Sequence, residues 1–285
     1  MDKIQRFIFD TANVRGEIVR LSDSFQTIIK QHQYPPTISH LLGQVLAVSV
    51  LLSAIIKFKG RLTVQFQGKN PLKLVLAQCN NAFEIRGLVQ WQGDLSEQEL
   101  LAALKQGILG IIISSDASTT PYQGVVAWKG DSIAESIEGY FENSEQLPTR
   151  IWLAVNETTA TGILLQPLPK AGAQQDGPII GDNDWERIVY LTETLTPEEM
   201  LTLDNATLLH RLYSQEDVRV FDAEPVTFRC SCSTERGENA ILMLGQKDAE
   251  AELKANQKIV VTCEFCNTAY AFDSATVAGI FEKNQ

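Results

Sequence analysis

The hydrophobic pattern of the first 175 residues switches repeatedly between strand and helix periods. Residues 3–10 and 14–21 read as strands. Residues 22–33 carry Phe25, Ile28 and Ile29 at helical spacing, and Tyr34-Pro35-Pro36 ends that helix. Thr37 is expected to cap a second helix. Its body, LLGQVLAVSVLLSAII at 41–56, is shorter than an ordinary membrane span and carries Gln44, Ser49 and Ser53. It reads as a buried core helix. Further strands are predicted at 61–67, 72–79, 83–91, 108–114, 124–129, 151–156 and 160–166. Helices are predicted at 95–106 and near 132–141. Consecutive strands without regular helical crossovers favour a largely antiparallel sheet, so the class is α+β.

The pattern changes after residue 170. Residues 170–181, KAGAQQDGPIIG, read as a loop. From 185 to 213 the periodicity is helical, with Trp185, Ile188, Val189, Thr192 and Leu195 on one face. Thr196-Pro197-Glu198-Glu199 has the form of a capping box with proline at the first helical position. Asn205 is expected to cap a last short helix bearing Leu208, Leu209, Leu212 and Tyr213. Such short helices are marginal in water and need a docking surface. Short strands are predicted at 218–221 and 226–229. Beyond them come helices at 233–244 and 247–253, strands at 259–261 and 270–272, and a C-terminal helix at 274–281.

Charge separates the same three segments. Residues 1–175 hold 15 basic and 15 acidic side chains, residues 176–229 hold 4 and 12, and residues 230–285 hold 5 and 8. The middle segment thus carries net −8, and like charge at that density weakens a compact state. Three parts follow: a mixed core domain at 1–175, an acidic helical linker at 176–229, and a small domain at 230–285. The chain's net charge of −11 argues against nucleic acid as a partner, because phosphate contacts need Lys and Arg. No secretory signal starts the sequence and no membrane segment is read in it, so a cytoplasmic address is expected.

Four of five cysteines fall in the small domain as two tight pairs, Cys230-Ser231-Cys232 and Cys263-Glu264-Phe265-Cys266, with 30 residues between them. In a reducing compartment such clusters point to metal binding or catalysis rather than fixed disulfides. Two close pairs divided by a fold-making stretch match one tetrahedral Zn²⁺. Four thiolates leave no open position for water, which argues against a catalytic metal. About 55 residues is also small enough to require a metal or similar staple. Cys79 reads as a small buried hydrophobe. His32, His40 and His210 show no ligand spacing. Neither a phosphate-binding G-x-x-x-x-G-K-[ST] loop nor a G-x-S-x-G nucleophile elbow occurs, so no enzyme class is indicated.

With the cysteine pairs in place, the chain resembles the Hsp33 family of redox-regulated molecular chaperones over essentially its whole length. Cys230-x-Cys232 followed by Cys263-x-x-Cys266 is similar to that family's zinc signature. YFENSEQLPT at 140–149, GILLQPLP at 162–169 and FRCSCSTER at 228–236 also match family stretches. The resemblance implies one Zn²⁺ per reduced chain on Cys230, Cys232, Cys263 and Cys266, with the protein then inactive. It implies Cys230–Cys232 and Cys263–Cys266 disulfides on oxidation, metal loss and opening of the linker. It further implies ATP-independent holding of unfolding client proteins by the core domain and linker, and a homodimer in the oxidised state. A zinc-stabilised adaptor without redox switching is the competing expectation.

Overall fold

The computed structural model describes residues 2–115, 120–168 and 182–283; the loop expected at 170–181 lies outside them. The chain divides into two compact units, Met1–Phe228 and Arg229–Gln285.

The larger unit opens with the hairpin β1 (Lys3–Phe9) and β2 (Val14–Leu21), then α1 (Asp23–His32) and α2 (Pro36–Ile55). A meander of β3 (Gly60–Gln67), β4 (Leu72–Asn80) and β5 (Glu84–Trp91) follows. Next come α3 (Glu97–Lys105), β6 (Ile108–Ser115), β7 (Tyr122–Val126), α4 (Ile133–Ser144), β8 (Arg150–Val155) and β9 (Ala160–Pro167). Three helices, α5 (Asp182–Glu193), α6 (Pro197–Thr202) and α7 (Asn205–Tyr213), lead to three short strands: β10 (Val218–Val220), β11 (Glu224–Pro225) and β12 (Thr227–Phe228).

The expected antiparallel sheet is present as two. The first runs β10-β1-β2-β9-β8, with β11 also on β1; the second runs β12-β5-β4-β3-β6-β7. Only the β12–β5 pairing is parallel among the described strands. The reason for two sheets lies in α2. Ile38, Leu42, Leu46, Val50 and Leu51 are buried all round it, and a helix apolar on every side must be enclosed. It packs on β2 and β9 of the first sheet and on β3, β4 and β5 of the second. A long apolar helix of this kind is therefore the core of the unit. Its start differs from expectation: Pro35 is the N-cap and Pro36 the first helical residue, not Thr37. Proline's fixed φ already suits that position. The strand expected at 124–129 forms two residues earlier, and Trp128 instead turns its indole N–H onto Gly130 O at 3.0 Å.

The first sheet is apolar on both faces. Every residue of β9 is buried, the mark of a strand covered on two sides. Val19, Leu21 and Leu164 face the cluster around α2. Phe7, Phe9, Val14, Ile18, Ile163 and Leu165 face the other way, against Ile188, Met200, Leu208, Leu212 and Tyr213 of α5–α7. Gly16 makes room here: a Cβ on it would sit 2.1 Å from the Phe7 ring. The Tyr213 ring meets Phe9 edge-on with centroids 4.7 Å apart, and its hydroxyl lies 2.7 Å from that of buried Thr192.

The capping box expected at Thr196 and Glu199 forms. At α7 the cap is Asp204, whose carboxylate accepts from Thr207 N at 3.0 Å. Asn205 is buried instead and donates to Gln5 Oε1 at 3.1 Å, tying α7 to β1. Part of the acidic excess is matched by the core, where Arg150 pairs with Glu193 at 3.1 Å; Arg219 of the segment in turn pairs with Asp10 of the β1–β2 turn at 2.7 Å.

Arg20 of β2 makes a further tie. Its guanidinium donates to Met200 O at 3.0 Å, to Leu203 O at 3.1 Å and to Leu201 O, which are terminal carbonyls of α6. Those carbonyls have no partner within the helix, and hydrogen bonds from a charged donor contribute about 1.5–3 kcal/mol. Arg20→Met is expected to lower amide-exchange protection in α6 by at least about 10-fold, the equivalent of roughly 1.4 kcal/mol, while β3–β6 keep theirs. Unchanged exchange in α6 would show the cap to be energetically idle.

The smaller unit comprises α8 (Thr234–Leu244), α9 (Gln246–Asn256), the hairpin β13 (Lys258–Thr262) and β14 (Ala269–Asp273), and α10 (Ser274–Glu282). Its core is six buried side chains: Ile241, Ala249, Ile259, Phe272, Val277 and Ile280.

Candidate metal centre

The four clustered cysteines come from two places in the smaller unit. Cys230 and Cys232 lie on irregular chain just before α8. Ser233 ends that stretch in an extended conformation and caps α8 by accepting from Arg236 N at 3.3 Å. Cys263 and Cys266 occupy the turn between β13 and β14. Asn267 N donates to Cys263 O at 2.8 Å and Cys263 N to Thr268 O at 3.0 Å, closing the turn. Asn267 supplies the left-handed conformation it needs, φ 53°, which asparagine accepts more readily than most residues.

Together these segments bring all four sulfurs within 4.8 Å of one another. Cys230 Sγ is 3.6 Å from Cys263 Sγ, and Cys232 Sγ is 3.4 Å from Cys266 Sγ. A tetrahedron of sulfurs about 2.3 Å from a central zinc has edges of roughly 3.8 Å. A disulfide needs about 2.05 Å, and all four thiols are free. The donor set therefore fits a tetrahedral thiophilic metal.

The electrostatics agree. Burial pushes the Cys230 thiol up to about 12, and burial also raises Cys263. At Cys266 burial opposes ionisation, but hydrogen bonds with Thr268 and with the Cys232 and Cys230 thiols together outweigh it and bring the thiol down to about 7. Crowded thiolates repel one another, so the four cannot all ionise without a cation among them. Two hydroxyls that the sequence did not point to also reach the sulfurs. Tyr270 Oη donates to Cys232 Sγ at 3.2 Å, and Thr268 Oγ1 lies 3.2 Å from Cys266 Sγ. The bond to Cys232 holds the Tyr270 phenol up at about 12. The available signal was their place, two and four residues after Cys266 on the chain returning from the turn.

The remaining candidates stay apart. Cys79 is fully buried in β4, and burial raises its thiol to about 12, leaving it unreactive. Among the described residues no histidine joins a ligand cluster.

A two-sheet α+β body followed by a small four-thiol unit defines a protein with a candidate metal centre outside its main core. The chain belongs to the Hsp33 family: the family's sequence profile, described as "Hsp33 protein", matches residues 2–273. The 33 kDa chaperonin of Ectopseudomonas mendocina is 42% identical over 283 residues, covering 98% of this chain and 95% of that protein. The 33 kDa chaperonin of Shewanella sp. strain ANA-3 is 43% identical, covering 98% and 96%. The crystal structure of a 33 kDa chaperonin from Thermotoga maritima shares the fold, with a TM-score of 0.82, 23% identity and 99% coverage of both chains. Family membership supports a chaperone function, and four cysteines so placed can hold a metal ion.

Proposed function

We propose that this protein is a redox-regulated, ATP-independent holdase chaperone, inactive while reduced and metal-bound. One observation carries the reading: four thiols lie within 4.8 Å in a unit whose core is only six buried side chains. Cys230, Cys232, Cys263 and Cys266 are the ligands in this reading. Zn²⁺ bound there would join the two cysteine segments and supply folding free energy on the order of 10 kcal/mol. Oxidation linking Cys230 to Cys232 and Cys263 to Cys266 removes all four donors and leaves the two segments unjoined. Residues 230–285 then lose their staple and unfold.

The acidic segment 176–229 is the element that responds. Its end is held by β10 and β11 on the first sheet and by β12 on the second, and β12 stops two residues before Cys230. These strands are two or three residues long, so a chain unfolding beyond Phe228 readily peels them away. α5–α7 lift after them, and Phe7, Phe9, Ile18, Ile163 and Leu165 on domain 1–175 become available to unfolding proteins. The oxidised protein is a homodimer in this scheme. The protein works in the cytoplasm, where reduction keeps the thiols ready, and nucleic acid and membrane are not its partners.

The test is aggregation of a chemically unfolded client diluted into buffer, with reduced zinc-loaded protein and peroxide-oxidised protein side by side. Suppression by the oxidised form alone is expected. Equal behaviour of the two forms would remove the switch and favour the zinc-stabilised adaptor.

A further inference from the structure

We propose that Tyr270 is a positioning residue of the four-thiol centre, whose hydroxyl holds Cys232 in its metal-binding pose and restrains that sulfur's reaction with peroxide. The inference deepens the redox reading and rests on it. Tyr270 lies in β14 opposite Val261 of β13, and its ring packs on the unit's small core. The ring is thus anchored independently of the cysteines, and only the hydroxyl extends to Cys232 Sγ, 3.2 Å away. Cys266, in the other sequence pair, also meets a hydroxyl, with its Sγ donating to Thr268 Oγ1 at 3.2 Å.

The chemistry gives that bond its consequence. A thiolate attacks hydrogen peroxide with a sulfur lone pair: the O–O bond breaks, sulfur becomes a sulfenic acid, and hydroxide leaves. A second thiolate then displaces hydroxide from the sulfenic sulfur to form the disulfide. Overall, two thiolates give up two electrons and one peroxide becomes two hydroxides. A hydroxyl hydrogen-bonded to sulfur occupies part of the lone-pair density that begins this sequence. Tyr270 keeps its proton throughout and acts only by orienting and polarising Cys232. Partners of this kind around metal ligands typically change affinity or reactivity by 10–100-fold.

The experiment uses the full-length protein with Tyr270→Phe, which keeps the ring and deletes one oxygen. Zn²⁺ release under hydrogen peroxide is followed with a chromogenic chelator, and Zn²⁺ affinity is measured by chelator competition under reducing conditions. The thiolate-to-metal charge-transfer band is recorded on the Co²⁺-loaded protein. The expected result is release about 10-fold faster, weaker Zn²⁺ affinity, and a band moved to lower energy because the sulfur is more easily oxidised. Parental values in all three would overturn the proposal. Faster release with an unmoved band would also overturn it, because the hydroxyl would then act through packing alone; a moved band without faster release would remove its control of oxidation. If the parent chain itself keeps its metal in peroxide, the redox reading fails, while affinity and band still decide whether Tyr270 orders the centre.

Discussion

Full-length protein carrying Cys263→Ser is expected to lose tight zinc binding, with its smaller unit unfolded and its larger unit intact. A serine hydroxyl is a far weaker ligand than a thiolate because it does not ionise near neutral pH. Cys263 also sits where β13 enters the turn, and its sulfur lies 3.6 Å from that of Cys230. With three donors left, the metal can no longer offset the entropy of ordering residues 229–285, whose six-residue core is too small to do so unaided. Metal analysis after dialysis against a moderate chelator should find about one zinc per parent chain and almost none in the variant. Amide exchange should stay slow in β2–β6 and β9, since α2 and its two sheets form a separate core. Stoichiometric zinc retained through that dialysis would overturn the ligand assignment.

The second large effect is expected from Ile188→Asp with the cysteines untouched. Ile188 is fully buried where α5 meets the first sheet. A carboxylate at this position would replace a fully buried apolar side chain in the cluster that holds Phe7, Phe9 and Leu212. Stranding an unpaired charge or unsatisfied polar group of this kind costs more than about 3 kcal/mol. Lifting α5–α7 into water relieves that cost at the price of their apolar contacts. The reduced, zinc-loaded variant should therefore show fast exchange across 182–213 and suppress client aggregation without oxidant. Ile188→Ala, which only leaves a cavity worth about 2–5 kcal/mol, should show the same change more weakly. If the helices lift and clients still aggregate, the covered face of the first sheet is not where clients bind.

Much of this was legible in the sequence, for physical reasons that differ from element to element. The α2 core helix announces itself by an unbroken apolar run, and the capping box at Thr196 by chemistry confined to four residues. The thiol cluster is readable because cysteines are rare and paired. What escaped depends on contacts between distant residues. Asp204 and Asn205 are both good caps, and the choice between them follows from Asn205 reaching Gln5, 200 residues away. Arg20 reaches three carbonyls about 180 residues on, and nothing in its own neighbourhood signals it. Sequence proximity also joins the cysteines as 230 with 232 and 263 with 266, whereas close sulfur contacts of 3.6 and 3.4 Å join 230 to 263 and 232 to 266. In a near-tetrahedral cluster every sulfur neighbours every other, so distance alone does not select the pairing. The second sheet was hidden for a related reason: alternation along a strand reports which side is covered, not by which layer.

One feature of the first sheet bears on what kind of grip an opened protein would have. The surface under α5–α7 is a sheet face, built from side chains of β1, β2 and β9. Those strands already exchange their backbone hydrogen bonds with each other in full register. A captured polypeptide lying on that face would meet rings and methyl groups; vacant N–H and C=O groups would open only along the edge of β1 that β10 and β11 leave. On the face itself it could adhere with little regard for its own sequence, with no template on which to extend a β-ladder. Edge-on capture invites the cross-β growth that turns unfolded chains into aggregates; face-on capture withholds it, so a client leaving this surface departs without a seeded strand.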